Sequence, residues 1–181
     1  RVKAAARARV RASSDRAPNL AASADFRPDG RLVAIGSSTG GVEALLSVLA
    51  AFPANCPPTV ITQHMPATFI PILAEHISRV GGLPCAEAKD GERIVPGRAY
   101  LAPGDRHMLV AGDRHVPLIS LSSAPPENFC RPAVDPMLRS ATAVMGGRVL
   151  AVILTGMGHD GLAGCRAIAA QGGAVIAQDE A

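Results

Sequence analysis

Leu32-Val33-Ala34-Ile35-Gly36-Ser37-Ser38-Thr39-Gly40-Gly41 decides the fold. Its first four residues form a continuous apolar run, the pattern of a short strand buried on both faces. A glycine-rich turn follows at once. Beyond it Val42, Leu45, Leu46 and Leu49 recur at helical spacing, and Pro53 closes the segment. Strand, tight turn and helix in that order begin a parallel α/β unit.

The unit repeats downstream. Thr59-Val60-Ile61-Thr62 reads as a second strand, ending at Gln63-His64-Met65-Pro66. Phe69, Ile70, Leu73 and Ile77 mark a second helix, stopped by Gly81-Gly82. From 85 to 125 the pattern changes. Pro96-Gly97, Pro103-Gly104 and Gly112-Asp113 punctuate short runs at 99–102, 108–111 and 116–121, which predicts small antiparallel hairpins. Helical pattern returns over Pro132–Met145. Val149 to Leu154 reads as a strand ending in Thr155-Gly156-Met157-Gly158-His159-Asp160-Gly161. A helix over Leu162–Ala170 and a strand over Ala174–Ala177 complete the pattern. The fold class is therefore α/β: a doubly wound, mostly parallel sheet with helices on both faces and an inserted antiparallel hairpin region.

Charge and composition narrow the function. Of the 181 residues, 18 are Lys or Arg and 15 Asp or Glu, a net +3. The excess lies in residues 1–30, which hold seven basic and three acidic side chains; the remainder is slightly acidic. The segment 1–30 is Arg/Ala-rich, then mixed in Pro, Ser, Asp and Asn, and reads as a flexible linker. With 3% aromatics and no Trp, a base-stacking surface is not expected, nor is a nucleic-acid partner. No apolar run is long enough to span a bilayer, so no membrane insertion is expected. Cys56, Cys85, Cys130 and Cys165 form no C-x-x-C pair. They read as reduced, mostly buried thiols in a cytoplasmic protein.

Three apolar strands each end in a loop bearing a chemically useful residue: Ser38, His64 and Asp160. Strand carboxyl ends share one sheet edge in such folds, so the three can converge there as a nucleophile, a base and an orienting carboxylate. Ser38 centres Gly36-Ser37-Ser38-Thr39-Gly40, a G-x-S-x-G match in a strand-to-helix turn. Each feature has a plainer reading: a phosphate-cradling turn, a hydrogen-bonded loop histidine, a helix N-cap. The turn lacks both the Gly-Lys-Ser/Thr ending of a P-loop and G-x-G-x-x-G spacing. A metal set of His64, His159 and Asp160 is conceivable, but no supporting spacing exists, so neither metal nor cofactor is expected. His76, His107 and His115 are assigned no catalytic role.

Together these segments resemble the chemoreceptor protein-glutamate methylesterase family (CheB type). The resemblance rests on Ala34–Gly41, Ile61–Pro66, Ala102-Pro103-Gly104-Asp105-Arg106-His107-Met108 and Ile153–Gly161. Lys89-Asp90-Gly91-Glu92 and Arg131-Pro132-Ala133-Val134-Asp135 add to it, and it spans residues 31–181. It implies hydrolysis of γ-glutamyl methyl esters on methyl-accepting chemotaxis receptors and deamidation of receptor glutamines. Motif by motif, Ser38 falls on the family nucleophile, His64 on its base, Asp160 on the orienting carboxylate, and Met157 on an oxyanion-binding backbone N–H. The Thr39 N–H, at the start of the following helix, is the second candidate oxyanion donor.

The resemblance further implies a receiver domain upstream that covers the active site when unphosphorylated. Residues 1–30 are expected to be its linker, and 31–181 a catalytic domain lacking its C-terminal end. Two departures stand out: His159 where the family more often has Asn, and Ala133 in place of a commonly hydroxylated residue. The alternatives to an active esterase are a non-catalytic receptor- or anion-binding module and an inactive fragment of the enzyme.

Overall fold

In the computed structural model, residues 29–178 are described. The expected linker over residues 1–30 thus lies almost wholly outside the described residues. Among the described residues, eight strands and four α-helices follow one another as β1 (Leu32–Ser37), α1 (Gly41–Ala50), β2 (Thr59–Gln63), α2 (Ile70–Val80), β3 (Cys85–Glu87), β4 (Ala99–Leu101), β5 (His107–Gly112), β6 (Pro117–Ser122), α3 (Val134–Met145), β7 (Val149–Ile153), α4 (Leu162–Ala170) and β8 (Ala174–Ala177). A single 3-10 turn, Ala67–Phe69, leads into α2.

Six strands form one sheet in the order β3-β4-β2-β1-β7-β8. Every pairing in it is parallel. The two faces divide cleanly because side chains alternate along a strand. Val33 and Ile35 of β1 join Leu45 and Leu49 of α1 and Leu73 and Ile77 of α2 on one face. Leu32 and Ala34 join Met137, Leu138 and Ala141 of α3 and Ile168 of α4 on the other. All six residues of β1 are buried, which is why that strand reads as an unbroken apolar run. Helices α1 and α2 cover one face, α3 and α4 the other, so the sheet is doubly wound.

The region 85–125 corrects the expectation of hairpins alone. β5 and β6 do form an antiparallel hairpin, which packs against α3 through Met108, Val110 and Ile119. The run at 99–102, however, supplies β4, which pairs in parallel with β2 and with β3. Ala99, Tyr100 and Leu101 are fully buried, and a three-residue strand is too short to betray its partner by periodicity. Tyr100 keeps its hydroxyl satisfied by donating to the Arg93 carbonyl at 2.8 Å and accepting from the Val95 amide at 3.0 Å. Boundary shifts are small. Helix α3 starts at Val134 rather than Pro132. Of the four thiols, Cys56 and Cys85 are buried and Cys130 and Cys165 half-buried, all free; burial pushes the Cys85 thiol up to about 12.

Candidate active site

The sheet changes winding direction about β1, whose neighbours are β2 on one side and β7 on the other. Ligands in such sheets bind beyond the strand carboxyl ends at this switch point. Ser38 follows β1, His64 follows β2, and Asp160 lies in the loop after β7. The three converge there beside a cleft of about 600 Å³.

The Ser38 turn is tied on several sides. The Ser38 amide donates to the Thr155 carbonyl at 3.1 Å, the Gly41 amide to the Ser38 carbonyl at 2.9 Å, and the His64 amide to the Ser37 carbonyl at 2.9 Å. The buried Gln63 amide bridges the first two loops, donating to the Ser38 carbonyl at 3.0 Å and the His64 carbonyl at 3.1 Å. Gly40 turns the chain into α1 with φ +75°, a conformation glycine adopts without strain. Gly156 is equally constrained by space, since a Cβ there would stand 2.7 Å from Ser38 Cβ.

The side chains form a continuous relay. Ser38 Oγ lies 3.2 Å from His64 Nδ1, and His64 Nε2 lies 2.9 Å from Asp160 Oδ2. An ionised carboxylate only accepts, so Nε2 carries the hydrogen and the Nδ1 lone pair faces the serine hydroxyl. The ring is used in the opposite sense from the chymotrypsin template, in which Nε2 faces the serine.

Asp160 is not the N-cap of α4 that a plain reading would make it; Gly161 holds that place. It caps α3 from across the sheet edge instead. Oδ2 accepts from the Val134 amide at 2.7 Å and Oδ1 from the Asp135 amide at 3.0 Å, the first free N–H groups of that helix. Asn128 Nδ2 adds a bond to Oδ1 at 2.9 Å. The Asp160 side chain is only 6% exposed. Burial works against its charge, but the hydrogen bonds from His64, the two amides and Asn128 outweigh it and hold its pKa below the ordinary carboxylate value.

Several contributors were not legible in the sequence. Asn128 Nδ2 also donates to Asp135 Oδ2 at 3.0 Å, and the buried Asp135 accepts the Gly164 amide at 2.7 Å. Cys130 Sγ sits 3.8 Å from His64 Nδ1. Burial raises its thiol pKa, and the Asp160 charge raises it further. The loop bearing Asn128 and Cys130 is anchored along its length. Arg139 pairs with both oxygens of Glu127 at 2.6 and 2.7 Å. Arg131 binds Asp105 Oδ1 at 2.7 and 3.0 Å and also donates to the carbonyls of Ser123 and Ala124. His107 Nδ1 accepts the Ala133 amide at 3.2 Å, so its Nε2–H donates to the Pro125 carbonyl at 3.0 Å. A helix-type pattern marks α3, but nothing periodic marks the loop before it.

Met157 lines the cleft and is 90% exposed. Thr39 is exposed beside the serine turn, its carbonyl 3.4 Å from Thr155 Oγ1. His159 is exposed. The clustered ligand-type groups among the described residues are His64, Cys130 and Asp160 rather than a set containing His159.

A model of the CheB methylesterase family matches residues 33–181. The chain belongs to that family. A protein-glutamate methylesterase/protein-glutamine glutaminase of a group 2 operon from Rhodospirillum centenum is 62% identical over 156 residues, covering 85% of this chain and 40% of that protein. A protein-glutamate methylesterase/protein-glutamine glutaminase from Azospirillum brasilense is 58% identical over 167 residues, covering 91% of this chain and 42% of that protein. The chain thus spans about two-fifths of the length of these relatives. The crystal structure of the Thermotoga maritima CheB methylesterase catalytic domain superposes with a TM-score of 0.81 at 40% identity, covering 84% of this chain and 82% of that one. Family membership and this likeness agree with the doubly wound fold. No described helix is long and apolar enough to cross a membrane.

Proposed function

We propose that the chain is a serine hydrolase that removes methyl esters from glutamate side chains of chemotaxis receptors and deamidates receptor glutamines. The observation that carries this reading is the unbroken relay Ser38 Oγ, His64 Nδ1, His64 Nε2 and Asp160 Oδ2 at the cleft. The relatives' description as methylesterase and glutaminase supports the two substrates.

In the proposed mechanism Ser38 Oγ attacks the ester carbonyl while His64 Nδ1 takes its proton. Asp160 holds the ring's tautomer and stabilises the imidazolium. The Thr39 and Met157 amides donate to the oxyanion, each such donor being worth about 3 kcal/mol. His64 returns the proton to the departing methoxide, and methanol leaves a glutamyl ester on Ser38. Water, deprotonated by His64, then releases glutamate and restores the serine. With glutamine the same steps expel ammonia. No step calls for a metal or cofactor.

Placement in the cytoplasm and control by a receiver domain are further parts of the reading, both resting on the family. The substrate claim is tested by incubating methylated receptor with the chain and mapping receptor peptides by mass spectrometry. Methylated glutamates should become glutamates, and the deamidation sites should read glutamate for glutamine. Receptor peptides left unchanged, but retained by the chain, would favour a binding module instead.

A further inference from the structure

The relay has a neighbour that acyl transfer does not use. Cys130 Sγ is 3.8 Å from His64 Nδ1, and His64, Cys130 and Asp160 each offer a ligand atom within 4.8 Å of the others. We propose that this cluster is a binding site for a thiophilic divalent cation, zinc above all. Cys130 Sγ and His64 Nδ1 are its direct ligands, and the bound ion shuts the hydrolase off.

Four observations converge on it. A thiolate and an imidazole form a soft-to-borderline donor pair, which selects zinc over magnesium or calcium. The spacing fits, because zinc–sulfur and zinc–nitrogen bonds of about 2.3 and 2.0–2.1 Å place tetrahedral neighbours about 3.6 Å apart, against the 3.8 Å found. The tautomer fits, because Asp160 takes the Nε2–H at 2.9 Å and leaves the lone pair on Nδ1. A carboxylate behind the histidine is the usual outer partner at zinc sites. The site is also held in place, since the Cys130 loop is clamped by the Arg131–Asp105 and Arg139–Glu127 pairs.

Ser38 Oγ, 3.2 Å from the same nitrogen, and water can fill the remaining positions. When the ion binds, a sulfur–metal bond forms and the Cys130 proton leaves to solvent. The ion then occupies the lone pair that would take the Ser38 proton. Binding stands on the geometry alone; the inhibition rests on the esterase reading.

Cobalt(II) tests the binding directly, because a cobalt–thiolate bond gives a charge-transfer absorption that imidazole and carboxylate do not. The full chain titrated with cobalt should show this band. Zinc should abolish it, and it should be missing in both Cys130→Ala and His64→Ala proteins. No band in the unsubstituted chain, or a band that survives either substitution, overturns the proposal. The inhibition is read from methanol release, each protein against its own metal-free rate. Zinc should inhibit the unsubstituted chain reversibly with a chelator, and half-inhibition of Cys130→Ala should need about tenfold more zinc or beyond. Equal zinc sensitivity in both would overturn the inhibitory role. A correct cobalt result in a chain that releases no methanol would fault the esterase reading and leave the metal site standing.

Discussion

One amide group of Asn128 serves two carboxylates, Asp160 and Asp135, and a backbone φ of +52° is what aims it at both. Asn128→Gly keeps that conformation accessible and removes the amide. Asp160 then loses one of its four hydrogen-bond donors beside an unscreened second carboxylate. Turnover is expected to fall between about tenfold and a hundredfold, with circular dichroism unchanged; a steady-state assay checks it. Asp160 also makes a pH prediction. Its pKa is depressed on folding, so its stabilising contribution is fully present above the unfolded value of about 3.9 and is lost as pH falls through the depressed value. Denaturant unfolding of the wild-type and Asp160→Asn proteins should therefore differ most near neutrality, and the gap should close toward strong acid. At this scale the convergence of Ser38, His64 and Asp160 was readable because each lies in a loop that follows an apolar strand. Asn128 and Cys130 were not, because their role exists only through contacts with residues 32 and 66 positions away.

The elements that carry the site are a strand-to-helix turn and a pinned loop. Gly156 packs directly on Ser38, so Gly156→Ala is expected to displace the serine and lower turnover by about a hundredfold, far more than it lowers the unfolding midpoint; assay and melt together check this. The pin is different in kind. Arg131 joins the loop to an exposed Asp105, and such surface pairs are worth about 0–1 kcal/mol. Arg131→Met should accordingly leave global stability within about 1 kcal/mol while slowing turnover, because the loop bearing Asn128 loosens. The sequence pattern located α1, α2, α3, α4, β1, β2, β7 and β8 because their apolar residues recur at helical spacing or run together. It missed β3 and misread β4 because three-residue strands carry no period. It gave the hairpin β5–β6 no role, although His107 in β5 and Asp105 just before it hold the loop against the site.

At the scale of the molecule, a six-stranded parallel sheet brings to one edge three residues spread over 123 positions of the chain, from Ser38 to Asp160. The rigidity behind that convergence comes from β1, buried on both faces. Ile35→Ala removes a fully buried side chain between α1, α2 and the sheet, and should cost about 2–5 kcal/mol in denaturant unfolding. The basic excess of the sequence belongs to residues 1–30. Residues 31–181 are near neutral, which gives no electrostatic footprint for a nucleic-acid partner. In the proposed mechanism Ser38 attacks the ester with His64 as its base. The decisive measurement is the rate of methanol release from methylated receptor, compared between the wild-type chain and Ser38→Ala at equal concentration. The expected result is a loss of at least about 10⁴-fold in Ser38→Ala. A Ser38→Ala rate within a few-fold of wild type would contradict it.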